Sequence, residues 1–332
     1  SKGTEPQNTQ IYGTLGSKYI LLEKIGKGLS SHVYLAKKNI PYSFPSENLL
    51  AIKVCKKKYN QKLFNEEGII LKKLPANPFI IKVYESGKAL LTKKKNGNSR
   101  TASFHVLEYL ENGVLFNYIH LKQGITKGFG EKLGRVIFYQ VIQAVEICHK
   151  NYVAHNDIKI ENILLTSDFQ VKLADFGFAT EEYLFQSRES LQKEKESQGQ
   201  TGTLTQLEHA TKAKFTVFGT DGYFPPEVYI ANSTMSYGTN GGKTIDSFQC
   251  DIFALGVFLF YIVCGFRPFA AAKRNDQIYK KIFRRNYDGF WNELQGKIGE
   301  LTRDFKNLIN RLIAANMEER YKNIEEIKLD PW

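Results

Sequence analysis

What this sequence lacks narrows the possibilities first. No apolar run approaches the ~20 residues needed to cross a bilayer; the longest, residues 252–264, counts 13 and is flanked by Asp251 and Arg267. It reads as a buried helix, and no membrane span is expected. Cysteine is scarce: Cys55, Cys148, Cys250 and Cys264 stand far apart, with no C-x-x-C pair. That spacing argues against a disulfide framework or a structural zinc site and points to a reducing, intracellular setting, cytoplasmic or nuclear. Six histidines include no H-x-x-x-H pair, and the first residues carry no charged-then-apolar secretion signal. Ser1 stands where an initiator Met would, as expected of a processed or engineered fragment. Acidic residues are the minority charge, 34 against 46 Lys and Arg, a net charge of +12. Such a surplus suits nucleic acid, acidic lipid or phosphate-bearing ligands, or is simply a solvated lysine-rich surface. The lysines form short triplets at 56–58 and 93–95, without a long basic tract or interleaved aromatics, so no nucleic-acid partner is expected.

What is present is the balance of a folded globular chain: 332 residues, 42% hydrophobic and 24% charged. Residues 1–17, polar and mixed, read as a flexible leader. Apolar runs at 19–22, 32–35 and 49–54, separated by glycine or by the loop at 41–46, read as strands. A helix near 64–74 and further runs at 80–84 and 104–107 complete a small antiparallel sheet, with 93–100 as a polar hairpin tip. From Leu115 the period changes. Leu133, Ile137, Val141, Ala144, Val145 and Cys148 recur at helical spacing and mark one apolar face. A strand pair is expected at 162–165 and 170–173, and helices at 251–264, 304–314 and 324–327. The fold class is α+β: a β-rich lobe with one helix over 18–110, then a larger α-helical lobe over 111–332. Residues 186–210 hold few large apolar side chains, so an insert at about 181–214 is expected to be mobile.

Three constellations carry chemistry. Gly26-Lys27-Gly28-Leu29-Ser30-Ser31-His32-Val33 reads G-x-G-x-x-S-x-V between two strands, where glycines let backbone approach a phosphate. A dinucleotide fold would place a helix directly after the glycines, and here a strand follows. Lys53 ends the apolar strand Leu50-Ala51-Ile52-Lys53, where burial demands an anion opposite. Glu67 on the next helix can supply it, with Ile70, Leu71 and Leu74 facing the core; Glu66 is the alternative. The strongest pattern is His155-Asn156-Asp157-Ile158-Lys159-Ile160-Glu161-Asn162, followed by Asp175-Phe176-Gly177, with 18 positions from Asp157 to Asp175.

With these residues the chain resembles the eukaryotic protein kinase family, serine/threonine type, most closely the calcium/calmodulin-dependent group, from about Tyr19 to Trp332. The resemblance implies a bilobal kinase fold, ATP and Mg2+ as cofactors with Mn2+ as a substitute, and a protein Ser/Thr substrate. Lys53 would hold the α- and β-phosphates and be held by Glu67, while Asn162 and Asp175 would bind the metal ions. Asp157 would accept the proton of the incoming hydroxyl, Lys159 would offset charge on the transferring group, and Thr220 would contact both. Gly26, Lys27, Gly28 and Ser31 would form the phosphate-covering loop. Val33, Ala51 and Leu164 would sandwich adenine, Leu107 would be the gatekeeper, and 108–110, including Glu108 and Leu110, the hinge. Glu227 would pair with Arg320. Asp251 would bind the catalytic-loop backbone, or else serve as a plain helix N-cap.

Departures from the family pattern carry their own expectations. Asn156 stands where most members have Arg, which removes the main electrostatic reason for an activation-segment phosphate. Activity independent of such phosphorylation is expected, although Thr216 lies at the usual phosphosite spacing before Thr220. Ser31 replaces the third loop glycine, Pro225 stands where Ala is usual, and Val114 occupies a place where relatives often carry a glutamate. Phe178 after the Asp-Phe-Gly triplet implies a preference for serine over threonine. A scaffold without turnover and a nucleic-acid-binding protein are the competing classes. The five positions Lys53, Glu67, Asp157, Asn162 and Asp175 all hold competent residues, which argues against the scaffold. The sequence names no regulator and no particular substrate.

Overall fold

A computed structural model describes residues 11–40, 49–95, 97–119, 128–181, 219–235 and 245–332. The chain divides into two compact units, one comprising 1–113 with 165–177 and the other 114–164 with 178–332.

The first unit is built on six antiparallel strands: β1 (Gly13–Leu15), β2 (Tyr19–Lys27), β3 (Ser31–Lys38), β4 (Leu50–Cys55), β5 (Val83–Lys93) and β6 (Ser99–Glu108). Their order is β1-β2-β3-β4-β6-β5, and β1 pairs with both β2 and β5 to close a barrel. Of the leader expected over 1–17, residues 1–10 lie outside the described residues, while Leu15, 1% exposed, belongs to the barrel core. Alternation along the strands fills that core with Tyr19, Leu21, Tyr34, Ile52, Val54, Phe104 and Val106. Helix α1 (Gln61–Lys73) follows β4. Asn60 caps it by accepting from the Lys62 N–H at 2.9 Å, Lys72 and Lys73 complement its C-terminal dipole, and Pro75 follows the end. The first unit runs to 113, beside the expected boundary at 110, and takes in 165–177 as well. Leu173 donates its N–H to Phe79 O (2.8 Å) and accepts from Ile81 (2.9 Å), which ties 165–177 to the first unit.

In the second unit α2 (Phe116–Ile119) and α3 (Gly130–Lys150) precede β7 (Val153–Ala154). Next come β8 (Ile163–Leu165), whose end reaches the first unit, then β9 (Val171–Leu173) within the first unit, and β10 (Thr180–Glu181), which pairs with β7. The remaining helices are α4 (Pro226–Met235), α5 (Ser247–Cys264), α6 (Tyr279–Phe283), α7 (Tyr287–Leu294), α8 (Arg303–Leu312) and α9 (Ile324–Lys328). On α3 the apolar face differs from expectation at one place: Leu133 is 48% exposed and Gly134 turns inward instead. A Cβ at Gly134 would stand 2.6 Å from Val263 Cγ2, so glycine lets α3 lie close on α5. Asp246 caps α5, accepting from Gln249 N at 3.1 Å, and Gly265 ends it in the left-handed conformation. By length and composition α5 alone among the described helices could cross a membrane, yet 72% of it is buried within the protein, as a core helix is.

Candidate active site

The glycine-rich turn joins β2 to β3, with Gly26 paired to Val33 and the Gly28 N–H donated to Ser31 O at 3.1 Å. Ser31 is 2% exposed, whereas Lys27 lies in the open. The Lys56 ammonium donates to the carbonyls of Gly28 and Leu29, the latter at 3.0 Å, and so pins the turn to the end of β4. Ala51 pairs with Leu107 across β4 and β6, and both are buried. Glu108 donates its N–H to Lys82 O (3.1 Å). Leu110 is buried. Leu164 lies in the second unit, paired with Val114.

Beside that turn Lys53 is 5% exposed. Both Glu67 oxygens accept its ammonium at 2.7 Å, and Asp175 Oδ1 accepts it at 2.6 Å. Glu66, the alternative partner, points to solvent. Burial alone would lower the Lys53 pKa, but the Asp175 and Glu67 carboxylates overcome it and raise it above the ordinary lysine value. Asp175 adopts a left-handed backbone, φ 60, which aspartate tolerates better than most residues, and its side chain is 49% exposed.

The second unit holds the other set. Asp157 is 4% exposed. It accepts Lys159 Nζ at 2.6 Å through Oδ2 and the Thr220 hydroxyl at 2.7 Å through Oδ1; Lys159 also donates to Thr220 Oγ1 at 2.6 Å. Asn162 Nδ2 donates to Asp157 O (2.8 Å) and Oδ2 (2.9 Å), so its amide nitrogen braces the Asp157 loop. Asp251 lies inside α5, fully buried, and accepts the N–H groups of His155 and Asn156, both at 2.8 Å. It is not the N-cap, a task Asp246 performs. Sequence reasoning missed His149, whose Nε2 lies 2.9 Å from Asp251 Oδ2; its only signal was a histidine in the last turn of an amphipathic helix. Glu227 and Arg320 form a bidentate pair at 2.6 and 2.8 Å. Asn156 donates its amide to Phe178 O (3.1 Å) and Thr180 Oγ1 (2.9 Å). Thr216 and nearly all of the expected 181–214 insert lie outside the described residues.

Asp175 in the first unit and Asn162 in the second each carry a hard oxygen, the donor type that suits magnesium. Among the described residues no group of three His, Cys, Asp or Glu side chains could hold a metal alone.

The protein kinase domain model matches residues 19–332. The chain is 29% identical, over 98% of its length, to CBL-interacting serine/threonine-protein kinase 14 of Arabidopsis thaliana, and covers 60% of that protein. It is 28% identical over 96% of its length to CBL-interacting protein kinase 10 of Oryza sativa subsp. japonica, covering 57%. Against serine/threonine protein kinase OSK3 of Oryza sativa subsp. indica it is 29% identical over 85% of its length, covering 44%. The chain thus spans about half the length of the curated relatives it matches.

Proposed function

This chain belongs to the protein kinase domain family, and on that premise we propose that it transfers the γ-phosphoryl group of ATP to a serine or threonine hydroxyl of a protein substrate. The observation that carries the reading is the closed ring of Asp157, Lys159 and Thr220, with Asn162 braced against the same carboxylate.

Phosphoryl transfer has a loose transition state with spread negative charge, so it asks chiefly for positioning and charge neutralisation. Asp157 orients the incoming hydroxyl and takes its proton. The hydroxyl oxygen bonds to the γ-phosphorus as the bond to the β-γ bridging oxygen breaks, and ADP leaves. Lys159 offsets charge on the transferring group, and Lys53, steadied by Glu67, holds the α- and β-phosphates. The family uses ATP with a divalent cation; here Asp175 and Asn162 would hold Mg2+, with Mn2+ as a substitute. When bound, that cation supplies further neutralisation of the phosphates. Lys159, two positions after the base, and the serine/threonine names of the relatives support the choice of acceptor. The Asn156 amide bonds to Phe178 and Thr180 support activity without a phosphate on the activation segment, because they hold its start with neutral groups. Spacing of the cysteines supports an intracellular, reducing location, cytoplasmic or nuclear, which tagged-protein imaging would check.

The test is incubation of purified chain with radiolabelled ATP, Mg2+ and a peptide array. Label on serine or threonine peptides, absent with Asp157→Asn, supports the reading. A sample that binds nucleotide and labels nothing overturns it in favour of a binding scaffold.

A further inference from the structure

His105 lies on β6, 1% exposed, and is the direct cross-strand partner of both Lys53 on β4 and Ser86 on β5. Cross-strand partners share a face of the sheet, so the imidazole and the Lys53 side chain rise beneath α1 together. Its Nε2 lies 2.9 Å from the Phe64 carbonyl in the first turn of α1, and its Nδ1 lies 2.9 Å from Ser86 Oγ. A carbonyl oxygen only accepts, so Nε2 carries the proton and Nδ1 accepts the Ser86 hydroxyl. The ring also stacks on Phe64, with centroids 4.3 Å apart and planes 9° from parallel.

Burial, with help from the charges of Lys53 and Lys72, holds the imidazole pKa down to about 4 against the pull of the Phe64 carbonyl. The ring is therefore neutral at neutral pH, and its 4.0 Å approach to Glu67 Oε2 is not an ion pair. Gly68, next to Glu67, faces the same ring. A Cβ there would stand 2.5 Å from His105 Cε1 and 2.7 Å from Ser86 Oγ, so α1 sits as low on the sheet as a glycine allows.

We propose that His105 is a positioning residue: with Gly68 it sets the height and rotation of α1 so that both Glu67 oxygens reach the Lys53 ammonium. A neutral donor at Nε2 fixes the helix backbone without competing for the Glu67 charge. A displacement near 1 Å at a phosphate-binding group is costly, so the effect reaches turnover through Glu67. That consequence rests on the kinase reading above; the link between His105 and α1 does not.

The test compares His105→Phe, which keeps the ring and loses both hydrogen bonds, with His105→Gln, which restores a donor and an acceptor. Each is made in wild-type and Glu67→Gln backgrounds. Steady-state kinetics are read beside hydrogen exchange of the α1 amides. Expected are a loss in kcat of about tenfold for His105→Phe, recovery to within about threefold for His105→Gln, faster α1 exchange, and no further loss when Glu67 is already Gln. An equal kcat loss in both backgrounds, or an unchanged kcat, overturns the proposal. Should His105→Phe not fold, Gly68→Ala serves instead: its loss should be relieved by His105→Ala in the same chain, and persistence of the loss overturns the inference. If the wild-type chain phosphorylates nothing, the functional reading falls, while unaltered α1 exchange in His105→Phe would independently overturn the tie to the helix.

Discussion

The Thr220 hydroxyl donates to Oδ1 of Asp157 at 2.7 Å, so a residue far along the chain fixes the carboxylate assigned as the base. Because Lys159 donates to both, loss of the hydroxyl leaves the lysine and the base to settle without their third member. Thr220→Ala is expected to lower kcat by ~10- to 100-fold with little change in the KM for ATP, and Thr220→Ser to retain most activity. Steady-state kinetics on one peptide check this.

Asp251 is a stability element at the heart of the second unit. Replacing it with Leu orphans the buried N–H of His155 and the half-buried N–H of Asn156, and takes from His149 its Asp251 partner. A loss of about 2–5 kcal/mol is expected, with Asp251→Asn losing less because one acceptor oxygen survives. Urea midpoints of the two variants give the comparison.

Asn156 accounts for how the start of the activation segment is held without an arginine. Thr216→Ala is expected to keep turnover within about twofold of wild type, while Asn156→Ala, which loses the bonds to Phe178 and Thr180, is expected to lose several-fold. Abolished activity in Thr216→Ala would show that a phosphate there is required after all.

Acid should weaken the first unit through His105. Its pKa is about 4 when folded against 6.5 normally, so the unfolded chain takes up a proton that the native state refuses between those values. Stability from this group is complete above pH 6.5 and is lost as pH falls toward 4, on the order of 3 kcal/mol in all. Glu67 and Lys53 face the same ring and titrate in the same region of the protein, so the informative quantity is wild type minus His105→Phe. Thermal melts across that range should show a shallower acid slope in the variant.

The fold was legible where periodicity was strong. Alternation over 19–22 and 49–54 marked strands, and the spacing of Ile137, Val141 and Val145 marked α3. The 155–162 motif stood out in the sequence because it sets fixed residue types at fixed intervals from Asp175. What was hidden lies in contacts that no local pattern encodes. Gly13-Thr14-Leu15 is too short to show alternation, yet its backbone closes the barrel. Leu133 fits the helical period, but Gly134 is what the close approach to α5 selects. The bond between His149 and Asp251 joins helices 102 positions apart, and His105 looks from sequence like any polar residue in a strand.

The closing of the barrel by β1 bears on how this protein should be cut. The family match begins at residue 19, and a truncation there would remove Gly13–Leu15. Strands β2 and β5 would then present bare edges to neighbouring molecules, and a shortened product would be prone to edge-to-edge association that has nothing to do with its chemistry.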